Sequence, residues 1–564
     1  MKKTIKRLGA IFLAMAMAVS VLCTGALAAD TTYTLTINDT NKNHKYVAYQ
    51  VFAGTVSANG KTLSDIQWGT GVDTASKKST EGTADSNGKT LVEAIRAITV
   101  GEDKPFASKT TAAEIAEVLG ATANNSKDSD VAKAFAAVVA NYVTGDGHTS
   151  GDWVDVSGEV AAHYTISGLT AGYYFVKSNN DANATDVANT RYILSVVGNA
   201  TVDTKSAVPT VDKKVNGKKT DTAQIGEKVT FTLTGTLPDN YDDYTTYKYV
   251  FHDTLSSGLT LDKDSIKVYK NSVAEGNLIS NDDSNTYYTV KPTTNTTLTD
   301  SCTFEVEFAN LKDVTSNKTD TIIVQYTATL NKSAAVKGND NKVKLEYSND
   351  PNKEGTGTTT EKEVKVYTFQ MNVEKIANDA SKTKLKDAKF VLGTKDNLDL
   401  GTIDDNGVPT NTTDLIPVIA GSAPLYTVND NLTSNDTKQH VMSTDENGAL
   451  NIVGLKPGTY YLYETKAPNG YNRLTKPVKI EIAVTKEGTL TAPPTIETTV
   501  DGNTTGEITT TDGVIKTVQV VNNAGSTLPS TGGMGTKLFY TIGGILMAGA
   551  AIVLVVRKRR SDAE

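Results

Sequence analysis

The stretch YYLYETKAPNGY, Tyr460 to Tyr471, alternates apolar and polar side chains as a half-buried strand does, yet its inward phase runs Tyr460, Leu462, Glu464. A carboxylate facing a core costs several kcal/mol unless it is paired or protonated, so this strand requires partners. Candidates share its phase elsewhere. In TFQMNVEKI the apolar face carries Phe369, Met371, Val373 and then Lys375, and in TVQVVNN it carries Val518, Val520 and then Asn522. The pattern recurs upstream: PTVDKKV groups Val211, Lys213 and Val215; YVFHD groups Tyr249, Phe251 and Asp253; VKLEYSN groups Val343, Leu345, Tyr347 and Asn349. Twice, an amine, an acid and an amide share apolar faces. Lys214 and Asn523 are the alternatives to Lys213 and Asn522, in the opposite phase.

The rest of the chain is consistent with a strand-rich protein. Its 564 residues allow three or four domains, with 38% hydrophobic and 21% charged residues. Basic Lys2, Lys3, Lys6 and Arg7, an apolar run from Leu8 to Leu22 and the small-residue site Ala26-Leu27-Ala28 read as an export signal over residues 1–28. Leu22 before Cys23 is too bulky for a lipid-attachment motif. Removing the signal leaves Cys302 as the single thiol, so a disulfide within one mature chain is excluded. Net charge is −8 although both ends are basic, so the exterior is acidic, which argues against nucleic acid or anionic membrane as partner.

Three regions follow the signal. Residues 29–207 open with strand patterns, TTYTLTIND and KYVAYQVFAG, interrupted by helical spacing at Thr90–Ile98, Thr111–Gly120 and Asp130–Val143. Residues 208–365 and 366–524 alternate strand patterns with polar turns, as tandem immunoglobulin-like β-sandwiches do. The fold class expected is therefore all-β, with a helical insertion in the first domain. GLTAGYYFVKS (Gly168–Ser178) and GLKPGTYYLYE (Gly454–Glu464) align without gaps, with Ser178 opposite Glu464. Residues 525–533 lead into and contain LPSTG, 534–556 form an apolar span of about 28 Å from Leu538, and 557–564 begin with the basic run RKRR.

The ordered trio of LPSTG, apolar span and basic tail resembles the cell-wall sorting signal of Gram-positive bacteria. That resemblance implies a sortase recognising Leu528, Pro529, Ser530, Thr531 and Gly532 and cutting between Thr531 and Gly532. Pro529 fixes its own φ and disfavours helix at Leu528, which suits an extended substrate. YYLYETKAPNGY is similar to the glutamate-bearing segment of Cna-B-type domains, and FHDTLSSGLT and LEYSNDPN resemble the acid and asparagine segments of isopeptide-forming fimbrial domains. These likenesses imply self-formed Lys–Asn bonds, Lys375 to Asn522 assisted by Glu464 and Lys213 to Asn349 assisted by Asp253, with the acid hydrogen-bonded to the amide oxygen.

As a whole the chain resembles a sortase-assembled backbone pilin. In that family a linker lysine receives the next subunit, and VDTKSAVPT puts Lys205 in that place, although Asp203-Thr204 replaces the family's Tyr-Pro pair. The implied partners are a class C sortase for polymerisation, a housekeeping sortase for anchoring, identical subunits, minor pilins and peptidoglycan, with a host surface ligand as a further candidate. Localisation would be the cell wall. The alternative is a wall-anchored adhesin or minor pilin that never polymerises. No hydrolase motif is present, and the five histidines (His44, His148, His163, His252, His440) show no metal-ligand spacing. Neither cofactor nor metal is expected, and the acids of Asn281–Asn285 read as an exposed loop.

Overall fold

The computed structural model describes residues 31–526 and 535–561, apart from 40–43, 59, 80–81, 122–128, 156–160, 179–187, 189–190, 204–207, 283–284, 295–296, 352–354, 435 and 509–512. The export signal, Lys205 and Leu528 to Gly532 lie outside the described residues. Three consecutive pairs of β-sheets account for most of the rest. The chain is all-β in tandem, with α-helices in the first unit and at the C-terminal end.

In the second unit, Asn339–Ser348 is buried at every other residue and Thr321–Leu330 nearly so, the signature of strands with one face on a core. One sheet runs in the order Thr220–Thr222, Lys362–Tyr367, Asn339–Ser348, Tyr249–Leu255, Phe304–Phe308, Thr289–Lys291. The facing sheet runs Leu278–Ile279, Leu259–Lys270, Thr321–Leu330, Lys228–Thr236, Val211–Val215. Between them lie Phe231, Phe251, Phe304, Tyr326 and Leu345, all fully buried. Each such side chain contributes about 1.5–3 kcal/mol.

The third unit places its first and last strands side by side. Phe369–Ala377 and Val514–Asn522 pair in parallel, beside Ala449–Leu455. The facing sheet centres on Lys389–Gly393, Gly458–Lys466 and Val478–Lys486. In the first unit, Leu91–Arg96, Ala112–Gly120 and Asp130–Val139 are helices begun by Thr90, Thr111 and Ser129, whose side chains accept hydrogen bonds from first-turn amides. The third helix ends at Val139 and tightens into a 3-10 turn, Ala140–Tyr142, short of the expected Val143. Phe106 and Phe135 pack beneath the helices with Phe52 of the strand Tyr46–Val56. At the other end, Gly535–Ser561 is one helix, and Leu538–Ser561 is long and apolar enough to cross a bilayer, with a mean hydropathy of 2.3.

The second and third units share one continuous apolar cluster. Ile225, fully buried, donates its amide to Gly454 O at 3.0 Å, and Tyr367 donates its hydroxyl to Thr489 O at 2.6 Å. Gly454 has φ +102, and a Cβ there would stand 2.5 Å from Ile225 Cδ1. Gly454→Ala is therefore expected to cost about 1–3 kcal/mol, read as a lower denaturant midpoint. An unchanged midpoint would show that this junction carries no stability.

Candidate functional site: two buried clusters of amine, acid and amide

In the third unit, Lys375 follows Phe369, Met371 and Val373 in the buried phase of its strand and is fully buried, as is Asn522. The parallel register sets Lys375 against Val520 and Ala377 against Asn522, so both side chains reach the same end of the core. Glu464 arrives from the facing sheet. Lys375 Nζ donates a short hydrogen bond to Asn522 Oδ1 and lies 3.0 Å from Glu464 Oε1. Asn522 Nδ2 donates to Glu464 Oε1 at 2.9 Å and Oε2 at 3.2 Å, and the Leu474 amide donates to Oε2 at 2.8 Å. Burial lowers the Lys375 pKa below the usual ammonium range, against the pull of Glu464. The turn after Glu464 also holds the segment that leaves the unit's last strand, since Asn472 N donates to Asn523 O and Gly525 N to Gly470 O.

The second unit builds the same chemistry from a different arrangement. Here acid and amide are neighbours in one sheet, and the amine comes across the core. Lys213 and Asp253 are both fully buried. Lys213 Nζ donates to Asp253 Oδ2 in a short contact, to Asn341 Oδ1 at 2.6 Å and to Lys342 O at 3.2 Å. Tyr326 joins the set, donating its hydroxyl to Asp253 Oδ1 at 2.9 Å and accepting from Asn341 Nδ2 at 2.7 Å. Desolvation dominates both ionisable partners. It brings the Lys213 pKa down to about 8 and pushes the Asp253 carboxyl up, each opposed by the other's charge. Both groups move toward their neutral forms.

The amide that meets Lys213 is Asn341 and not the expected Asn349. Asn341 and Asn349 share the inward phase of Asn339–Ser348 and its continuation, and both are buried. The register decides between them: Asp253 pairs with Val343 and Leu255 with Asn341, so Asn341 lies beside the acid. Asn349 is eight residues along, about 27 Å away in an extended strand. It sits near the loop at Gly355, whose carbonyl accepts its amide at 3.2 Å. The acids also sit differently from expectation. Both clusters present the amide nitrogen, rather than the oxygen, to the acid, directly from Glu464 and through Tyr326 from Asp253.

Lys214 is exposed, and Asn523 points outward, accepting from Asn378 Nδ2 at 2.8 Å. In the first unit Ser178 is buried where Glu464 would align, but among the described residues Lys213 and Lys375 are the buried lysines. The buried polar group of that unit is instead Asp39, His44 and Tyr46, with Tyr46 donating its hydroxyl to Asp39 Oδ2 at 2.6 Å.

Comparison with known proteins places two segments in described families. Residues 369–498 match the SpaA family, a prealbumin-like fold domain, and residues 520–563 match the LPXTG cell wall anchor motif. The trypsin-resistant surface T6 protein of Streptococcus pyogenes serotype M6 is homologous, 27% identical over 404 residues that cover 63% of this chain and 70% of that protein. Fimbrial subunit type 1 of Actinomyces viscosus is 32% identical over 118 residues, covering 21% of this chain and 18% of that protein. Among solved structures, the T6 backbone pilin of Streptococcus pyogenes covers 89% of this chain and 100% of its own, with a TM-score of 0.49 and 17% identity. The major pilin SpaD of Corynebacterium diphtheriae covers 89% and 99%, with a TM-score of 0.44 and 14% identity.

Tyr326 bridges the acid and the amide of the second cluster, so Tyr326→Phe leaves both short of a partner. The expected loss is at least about 1 kcal/mol in denaturant unfolding. A variant as stable as the parent would remove Tyr326 from the cluster's energetics.

Proposed function

We propose that this chain, a wall-anchored protein with a prealbumin-like domain and homology to the T6 surface protein, is the backbone subunit of a covalent pilus whose second and third domains staple themselves shut. The observation that supports this most directly is the pair of buried clusters, each joining an amine to an amide beside an acid. In this reading the mature modules are residues 29–207, 208–365 and 366–524.

The chemistry follows from the neutral state that burial favours. Unprotonated Lys375 Nζ attacks Asn522 Cγ, and the Nζ–Cγ bond forms as the Cγ–Nδ2 bond breaks. Glu464 is within reach of both nitrogens, so it takes the proton the amine sheds and gives it to Nδ2, which departs as ammonia. Lys213 and Asn341 react in the same way, with Tyr326 passing the proton from Asp253 to Asn341 Nδ2. The acid is regenerated and no external enzyme or cofactor is consumed. Closing loops whose ends are 128 and 147 residues apart removes unfolded-state entropy worth about 5 kcal/mol each by the cross-link estimate.

Assembly then needs two further groups. A sortase cysteine cuts Thr531 from Gly532 and holds Thr531 as a thioester, and the Lys205 amine of another copy displaces the cysteine to form an intersubunit amide. Transfer to a peptidoglycan amine ends growth and anchors the fibre, and minor pilins or a host surface ligand would meet it at other points.

Intact mass tests the self-linking. The recombinant ectodomain is expected to weigh two ammonia masses less than its sequence. Asn341→Ala and Glu464→Ala should each restore one of them, while Asn349→Ala should restore none. A parent at full sequence mass would refute the cross-links. Polymerisation has its own readout, a ladder of wall-extracted protein in boiling detergent. Lys205→Ala is expected to collapse the ladder to monomer; an unchanged ladder would reassign the receiving lysine, and a single band from the parent would favour a monomeric adhesin.

A further inference from the structure

Successive residues of a strand point to opposite faces, so Asp253 faces the core while His252 faces outward from the same sheet. His252 is nonetheless buried, because neighbouring strands and the segment before Phe304 cover it. Its Nδ1 lies 3.3 Å from Asp300 Oδ2, 3.6 Å from Glu305 Oε1 and 4.0 Å from Cys302 Sγ, and Cys302 Sγ is 4.0 Å from Glu305 Oε1. All four donor atoms fall within 4.8 Å of one another. Metal bonds of about 2.0–2.3 Å in a tetrahedron require donors about 3.4–3.8 Å apart, so the pairs at 3.3 to 4.0 Å need little change, and a separation as wide as 4.8 Å closes by about 1 Å on binding.

We infer that His252, Asp300, Cys302 and Glu305 form a site for one divalent transition cation, with zinc the best match to a donor set of one nitrogen, one sulfur and two carboxylate oxygens. Two observations beyond the cluster point to a ligand. The other ring nitrogen, His252 Nε2, is 3.2 Å from Glu346 Oε2, the carboxylate–histidine arrangement that orients a metal-binding imidazole. Glu305 is fully buried with Oε1 toward the cluster, and its Oε2, which has no hydrogen bond among the described residues, meets only the ion pair with Lys291 Nζ at 3.6 Å, so this buried carboxylate is incompletely satisfied. Glu305 Oε1 is already oriented by Thr299, whose amide and hydroxyl donate to it at 2.7 and 2.6 Å.

Asp300 is the partly exposed member and provides the entry path. Lys344 Nζ, 2.7 Å from Asp300 Oδ2, must swing aside on binding, and its own partial exposure permits that. Cys302 binds as thiolate, releasing its proton to solvent, with no change in oxidation state. The cation would tie the strand Tyr249–Leu255 to the segment leading into Phe304–Phe308, on the back of the sheet that carries Asp253 and Asn341 on its front.

Cobalt(II) titration of the chelator-stripped secreted chain tests this. One equivalent is expected to produce the visible bands of four-coordinate cobalt and a thiolate charge-transfer band, both lost on adding zinc. Cys302→Ser should lose the charge-transfer band and at least tenfold in affinity. Glu346→Gln, which keeps all four donors, should retain the bands with affinity weakened about tenfold. Asp300→Asn, at the exposed edge of the cluster, guards against a variant that merely unfolds and should also weaken binding at least tenfold. Absence of bands at one equivalent in the parent, or a charge-transfer band that survives in Cys302→Ser, would overturn the site and leave His252 as a structural imidazole held between carboxylates.

Discussion

A lysine ammonium cannot remain charged and unpaired in a dry core, and the second and third units are organised around that constraint. Desolvating an ion costs several kcal/mol even after relaxation. Lys213 meets this by moving toward the free amine while Asp253 moves toward the neutral acid. In the proposed self-linking, the same displacement that makes the pair tolerable would make the amine a nucleophile and the acid a proton carrier. Stability and reactivity would then share one cause. The apolar strands matter because Phe231 and Tyr326, with ring centroids 5.6 and 5.8 Å from Lys213 Nζ, and Phe390, 5.4 Å from Lys375 Nζ, keep water away from the amines.

The two clusters differ in what they would fasten. Lys375 and Asn522 lie on adjacent parallel strands of one sheet, the first and last of the unit, so a bond there closes the module nearly end to end. Lys213 and Asn341 lie on facing sheets, so their bond would staple the sandwich through its core. It would also leave the rest of Asn339–Ser348 and the strand Lys362–Tyr367 beyond the bond, held by hydrogen bonding and by contact with the third unit. Tension along the proposed fibre would therefore meet a covalent link over most of the second and third modules and ordinary packing at the junction between them.

Much of this was legible in period-two alternation. Glu464, Lys375 and Asn522 follow from one rule: a polar residue in the apolar phase of a strand needs company. Lys213 and Asp253 follow in the same way. The rule fails at Asn349 because phase fixes a face and not a position along the strand. Asn341 and Asn349 share the face, and only the pairing of Asp253 with Val343 separates them. Tyr326 is not legible in the sequence because it continues the buried series Ile322, Val324, Ala328 and reads as core, with a hydroxyl that acquires meaning only once Asp253 faces it. The His252 cluster has no linear motif, since its donors come from a strand and from a segment nearly fifty residues later, on the face that alternation marks as outward. The third helix ends earlier than its apolar spacing predicts, because that spacing continues through Tyr142 and Val143 although the backbone tightens after Val139.

Single-molecule extension of the chain, pulled from its two ends, measures the central claim in the setting where it matters. Residues 213 to 341 and 375 to 522, separated by 128 and 147 positions, should add no length at forces that unfold ordinary sandwiches. Steps of about 450–500 Å, the extended length of either segment, would contradict the account.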